Sequence, residues 1–185
     1  MKADLRLVQA VDVDPDNPET FGRAYEEYFP GIYNYIRYRV GEAAVADDLT
    51  SITFHKALDR LPAYDPSRAT FSTWLLVIAR NVVNDHQRTR RRRQTLLFGW
   101  FRERRPAQPD PEAILIGDEE RDHLLAAVQA LPERERDILS LKFAGGRTNR
   151  AIAELVGQSE SNVGVIVHRA LGKLRNRLGA GEEIR

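Results

Sequence analysis

Apolar residues recur every three or four positions along most of this 185-residue chain, and that spacing predicts helices almost throughout. Between residues 18 and 40, Phe21, Tyr25, Tyr28, Phe29, Ile32, Tyr33, Ile36 and Val40 form one apolar stripe. Asn17 and Pro18 open it as an N-cap followed by proline at the first helical position. Gly41 closes it, and Pro30 is expected to kink or split it. A second helix is expected from about Ala43 to Leu61. Residues 61–69, LPAYDPSRA, form a turn-rich loop with two prolines. A third helix starts at about Thr70 and buries Phe71, Trp74, Leu75, Ile78, Val82 and Val83. Trp74, at this spacing, reads as core. Strand-like alternation is scarce, so the fold class is all-α.

The second half repeats the pattern in shorter pieces. Residues 119–130 read as a helix, and LPERERDILSLKF places Pro132 at the start of another, with Ile138, Leu139, Leu141 and Phe143 on its apolar face. Gly145 and Gly146 break it. Thr148 then caps a short helix whose Ala151, Ile152, Leu155 and Val156 face inward. Gly157 turns the chain, and Ser159 caps a last helix striped with Val163, Val167, Ala170, Leu174 and Leu178. Two short helices joined by a glycine turn, the second rich in basic residues, predict a helix-turn-helix. Any small helical bundle can show helix–Gly–helix. The caps, the small Ala153 near the turn and the basic second helix favour DNA binding.

Between the halves, residues 94–117 contain three prolines and no steady period, the mark of a linker. Its LLFGWF run is too apolar for a solvated tether and is expected to dock, on a partner or on one of the domains. The organisation predicted is therefore two small helical domains, 18–93 and 118–180, joined by a linker at 94–117.

Charge sharpens this picture. The formal net charge is only +1, with charged residues making up 30% of the chain. The distribution is uneven: residues 1–69 carry a net −4, 70–105 a net +7, 106–137 a net −6 and 138–178 a net +5. Two basic islands separated by an acidic spacer predict two nucleic-acid contacts. The first island is the sharper. Arg88, Arg90, Arg91, Arg92 and Arg93 put five guanidinium groups into six residues, a density that a phosphate backbone would neutralise. Arg80, Asn81 and Asn84 precede them as polar groups able to read base edges or hold an unstacked base.

Other chemistries find little support. The chain has no cysteine, which excludes disulfides and thiolate metal sites and makes a reducing compartment the default. No Gly-rich phosphate loop is present, and the histidines at 55, 86, 123 and 168 share no metal-ligand spacing. No catalytic residue, metal or cofactor is therefore expected. The N-terminal residues MKADLRLVQAVDVD have no secretory h-region, and no apolar run is long enough to span a membrane. A cytoplasmic protein is expected.

On these motifs the chain resembles the extracytoplasmic-function (ECF) sigma factors of bacterial RNA polymerase. ADDLTSITFHKAL (46–58) resembles the family's second conserved region, and FSTWLLVIARNVVNDHQRTRRRR (71–93) its promoter-melting segment. LPERERDILSLKF and TNRAIAELVGQSESNVGVIVHRALGKLR resemble the fourth region, which binds the upstream promoter element. The resemblance implies a promoter-specificity subunit that binds core RNA polymerase and promoter DNA, without catalysis. It also implies an anti-sigma factor as a partner. Asp47, Asp48, Leu49, Thr50 and Phe54 would dock on the polymerase, although Ile52 stands where the family usually has an acidic residue. Phe71 and Asn81 would belong to the part that captures a base of the melted strand, with Arg80, Asn84, Arg88 and Arg90 to Arg93 beside it on the DNA. In the helix-turn-helix, Ser159, Ser161, Asn162, Val165, His168, Arg169 and Lys173 would face the upstream element. Gly164, Val165 and Ile166 replace polar residues common in the family, so the resemblance implies either an element read differently, through Ser161, Asn162, His168 and Arg169 with Val165 against a thymine methyl, or weak dependence on that element.

Two other functions compete with this one. A helix-turn-helix regulator with an N-terminal sensor or dimerisation domain would self-associate on palindromic sites. It leaves the arginine block and the aromatic helix unused. A nucleic-acid enzyme would need a metal or nucleophile constellation that the sequence does not contain.

Overall fold

The computed structural model describes residues 13–14, 17–98 and 119–179. Among them the chain is helical with no strand. Helix α1 spans Pro18–Val40, α2 Ala43–Asp59 and α3 Phe71–Phe98, with a 3-10 turn at Leu61–Ala63. The second half contributes α4 (Glu119–Gln129), α5 (Glu133–Phe143), α6 (Asn149–Val156) and α7 (Glu160–Gly179).

The boundaries follow from the caps. The Asn17 side chain accepts the Glu19 amide at 3.1 Å, and Pro18 sits at the first turn where its missing N–H costs nothing. Gly41 ends α1 with φ 86°, and its amide donates to the Arg37 carbonyl. A side chain there would be strained at that φ, which is what demands glycine; a Cβ would also lie 2.9 Å from Cδ at the movable end of Gln129. Thr148 caps α6 by accepting the Ala151 amide at 3.2 Å, and Ser159 caps α7 by accepting that of Asn162 at 3.2 Å. Gly157, left-handed at φ 66°, makes the turn between them.

Three expectations need correction. Pro30 does not split α1, which runs unbroken from Pro18 to Val40; the ring sits on the exposed side of a helix held by its buried stripe. Helix α2 stops at Asp59, and Leu61 belongs to the 3-10 turn that follows. Helix α3 does not end with the arginine block but continues to Phe98, so the first residues of the expected linker are helical. The remainder, residues 99–118, lies outside the described residues, as does any docking of the apolar run there.

Helices α1 to α3 enclose an aromatic cluster. Phe21 meets Phe54 and Phe71 edge-on at centroid distances of 6.4 and 6.2 Å, and Tyr64 meets Phe71 edge-on at 5.4 Å. Trp74 packs on both Tyr64 and Phe71 and is half-buried, as its spacing indicated. The second half does not stand apart from this core. Ile138 and Leu141 of α5, Ile152 and Ala153 of α6 and Val163 of α7 join the same buried cluster as Tyr35, Ile36, Leu76 and Val83. The two halves meet closely enough that a Cβ on Gly145 would lie 3.0 Å from Cδ2 of Leu76. A smaller cluster of Ala127, Val128, Leu131, Leu139, Ala170 and Leu174 holds α4, α5 and α7 together.

Candidate nucleic-acid and polymerase interface

The exposed part of α3 carries most of the charge predicted to meet DNA. Asn81, Arg88, Arg90, Arg91, Arg92 and Arg93 are all exposed. Helical continuation through the arginines matters, because it fixes them at about 1.5 Å rise per residue along one rod instead of leaving them on a floppy tether. Arg88 pairs with Asp85 one turn away at 3.0 Å, and Arg90 lies 3.6 Å from Glu42. Such exposed pairs are weak and easily exchanged for phosphate. Arg91 contacts Glu133 of α5.

Arg80 and Asn84 are placed differently. Arg80 Nε donates to Asp137 Oδ2 at 3.1 Å, and its Nη1 donates to the Leu155 carbonyl at 3.1 Å. Asn84 accepts from Arg39 Nη2 at 3.1 Å. Arg80 therefore faces the second half of the chain, and Asn84 is held by α1. Phe71 is 3% exposed and locked in the aromatic cluster, so it supports the start of α3 from inside. The loop before it is ordered by Asp65, which accepts both the Ser67 hydroxyl at 2.7 Å and the Ser67 amide at 2.9 Å. These hydrogen bonds, the side-chain one first, hold the Asp65 carboxyl below its ordinary value. Thr70 starts α3 by accepting the Thr73 amide.

The predicted polymerase-docking residues divide by helix face. Asp47 and Asp48 are exposed on α2. Leu49, Thr50 and Phe54 are buried at 6%, 0% and 4% exposure. The Thr50 hydroxyl bonds back to the Ala46 carbonyl at 2.7 Å, and Phe54 belongs to the aromatic cluster. These three therefore hold α2 in place, and a partner would meet the other face instead: Asp47, Asp48, Ser51, Ile52 and His55, all exposed. The apolar Ile52, 42% exposed, sits in the middle of that face.

In the helix-turn-helix, Ser161, Val165, His168, Arg169 and Lys173 are exposed. Ser161, Val165 and Arg169 follow each other at intervals of four along one face of α7. Ser159 is occupied as the cap, Asn162 donates to Gln158 at 2.7 Å, and Lys173 pairs with Glu135 at 2.6 Å. The unusual trio is also sorted by direction. Ile166 packs on the core and Val165 points out at 43% exposure. Gly164 faces α6, where a Cβ would meet Nδ2 of Asn149 at an ordinary 3.6 Å.

A buried polar cluster joins the two halves, and the sequence reading does not anticipate it. Arg39, 2% exposed, donates to the Tyr35 hydroxyl at 3.0 Å, to Gln87 Oε1 at 2.9 Å and to Asp137 Oδ1. Glu133 lies 3.9 Å from the same guanidinium. Tyr35 itself donates to Asp137 at 3.0 Å. Burial first, and the Asp137 carboxylate beside it second, hold the Tyr35 phenol well above its ordinary value, so it stays a donor. One signal was available: Arg39 falls three residues after Ile36 and seven after Ile32, on the apolar stripe of α1.

Among the described residues no group of three or more histidines or carboxylates could hold a metal, and no helix is long and apolar enough to cross a membrane.

The comparisons with known proteins fall on the same two halves. Residues 24–93 match the model of Sigma-70 region 2, and residues 121–174 that of Sigma-70 region 4. The chain is 31% identical over 134 residues to the ECF RNA polymerase sigma factor EcfG of Rhodopseudomonas palustris, covering 72% of this chain and 71% of that protein.

The chain belongs to the ECF sigma factors.

It is 33% identical to BldN of Streptomyces coelicolor over 94% of its own length and 66% of BldN, and 29% identical to SigX of Bacillus subtilis over 86% and 84%. The fold is that of the sigma factor RpoE of Bartonella quintana, solved with the anti-sigma factor NepR, at a TM-score of 0.70 and 22% identity, covering 87% of this chain and 98% of that one. CnrH, solved with the cytosolic domain of CnrY, gives a TM-score of 0.63 at 22% identity over 89% and 90%. As a member of the family the chain is a promoter-specificity subunit of RNA polymerase.

Proposed function

We propose that this sigma factor divides promoter opening among three surfaces and catalyses no reaction of its own. The exposed face of α2, with Asp47, Asp48 and Ile52, docks on core RNA polymerase. Asn81 discriminates a base of the melted strand, while Arg88 and Arg90 to Arg93 follow the phosphates. The outer face of α7, with Ser161, Val165, His168 and Arg169, reads the upstream element in the major groove. The thymine methyl is the natural contact for Val165, and a histidine and an arginine on the same face supply hydrogen bonds to base edges.

The observation that carries this reading is the pairing of two cationic faces on one chain. One is a long helix with exposed arginines and the exposed Asn81 amide, and the other a capped helix-turn-helix. Unpairing a base costs a few kcal/mol, which binding of the opened strand by cations and pockets can offset without nucleotide hydrolysis. The protein works in the cytoplasm, where core polymerase and DNA are. An anti-sigma factor is its expected regulator, a partner type with which RpoE of Bartonella quintana was solved.

The test is reconstitution. Purified chain added to sigma-free core polymerase should direct initiation from a discrete subset of genomic fragments in a run-off assay. Unaltered initiation by core alone and by core with the chain would reject the function.

A further inference from the structure

An apolar side chain stands on the otherwise polar and cationic face of α3. Val77 is 37% exposed, while its chain neighbours Leu76 and Ile78 are buried at 2% and 4%. A lone exposed valine is ordinary on a protein surface; the company of this one is not. Val77, Asn81, Arg88 and Arg92 follow one another at intervals of four, seven and four, which keeps them on one side of the helix. Asn81, Arg88 and Arg92 are exposed with it. The face therefore runs from an apolar group through an amide to two guanidinium groups. Trp74, one turn before Val77, packs on Tyr64 and Phe71 at centroid distances of 5.2 and 5.4 Å, so the apolar end of the face is anchored in the aromatic cluster.

That order of groups suits one base. The Asn81 amide donates through its nitrogen and accepts through its oxygen, a pair that the O4 and N3–H of an unpaired thymine can satisfy together. The C5-methyl group of thymine lies beside O4, on the side of the amide nitrogen. Residues four apart on a helix carry Cβ atoms about 5–6 Å apart, so a methyl group beside the base edge held by Asn81 falls within reach of Val77. Cytosine presents a bare C5 there, and a purine has no methyl group to offer. Valine is stiff at χ1 and loses little freedom in making the contact. Arg88, about 10 Å beyond Asn81 along the axis, is placed for the phosphates of adjoining nucleotides.

We infer that Val77 is a specificity-determining residue: it selects a thymine of the melted strand by packing on the C5-methyl group while Asn81 holds the base edge. The inference rests on the role proposed for Asn81.

The test uses holoenzyme assembled from the full chain and core polymerase. Its promoter, found by run-off transcription, is prepared with the start-site region mismatched, so that duplex stability does not enter. Thymines of the unpaired stretch, on both strands, are replaced one at a time by deoxyuridine, which removes only the methyl group. One position should lose about fourfold in affinity, the value of one methyl group taken out of water. Val77→Ala should bind thymine and deoxyuridine at that position equally. Its thermal midpoint should not fall, because alanine favours an exposed helix position more than valine does. A parent with no methyl-sensitive position, or a Val77→Ala variant that keeps the fourfold preference, would overturn the inference and leave the sigma-factor function standing. Asn81→Ala separates the two roles: it should weaken discrimination against cytosine at the same position. Undiminished discrimination there would remove Asn81 as the holder of the base edge, while a methyl preference abolished by Val77→Ala would still assign the methyl contact to Val77.

Discussion

Two sets of arginines do opposite things in this protein. Arg88 and Arg90 to Arg93 stand exposed on the C-terminal half of α3, where surface pairs hold them loosely and solvent screens them. Arg39 and Arg80 belong to the same half of the chain, yet they converge on Asp137 under α5. The residue type is shared and the burial is not. An exposed guanidinium adds affinity for any polyanion, whereas a buried one acts through whichever partner it is given.

The largest expected difference is in stability. Arg39→Ala takes the buried guanidinium from the Asp137 carboxylate, leaving it only Arg80 and the Tyr35 hydroxyl as donors, a loss of the order of 3–5 kcal/mol for a broken buried pair. Arg92→Ala, wholly at the surface, should leave the urea midpoint where it was. Equal midpoints for the two variants would erase the distinction between the sets.

A similar contrast separates the faces of α2. Leu49→Ala removes a buried side chain and should cost about 2–5 kcal/mol, lowering core-polymerase binding only through unfolding. Asp48→Lys with Ile52→Asp should keep the thermal midpoint within a few degrees and weaken core association by about tenfold or more, the scale of a truncated interface anchor, measured by co-purification or anisotropy. A tight-binding Asp48/Ile52 variant would show that the polymerase meets another face.

The third contrast lies within α3. Replacing Arg90 to Arg93 by glutamine should flatten the salt dependence of DNA binding on every sequence, by about 0.7–0.9 logarithmic units for each phosphate no longer neutralised. Asn81→Ala should leave the salt slope alone and reduce discrimination between preferred and altered promoters by about 1–3 kcal/mol. A loss that is the same on matched and mismatched promoters would move Asn81 from reading to support.

The smallest effect concerns the recognition helix. Gly164→Ala meets only an ordinary van der Waals neighbour in Asn149 and removes a mid-helix glycine, so it should stabilise the fold by up to about 1 kcal/mol. A destabilised variant would mean that α6 and α7 cross too tightly to admit a methyl group.

Periodicity carried most of the fold because each helix has an apolar stripe and its own punctuation. Asn17, Gly41, Thr148, Gly157 and Ser159 act locally, within one turn of chain, and so could be read from neighbours alone. The site was less legible. Leu49, Thr50, Phe54 and Phe71 belong to motifs by position, but a motif does not say which of its residues face outward. The burial of each depends on the register of the helix against α1. Arg39 and Asp137 are 98 residues apart, and no local pattern announces such a meeting. Pro30 misled in the other direction: a local breaker was overridden by a stripe of buried aromatics on both sides of it.

The central claim is that this chain opens promoter DNA only as part of the polymerase, by binding what it unpairs. Permanganate reactivity of thymines around the start site of a promoter selected by run-off transcription tests it directly. Reactive, unpaired thymines are expected when chain and core are both present, without nucleotides, and they should diminish with Asn81→Ala. Thymines that remain unreactive with the assembled holoenzyme, or that react equally with core alone, would contradict it.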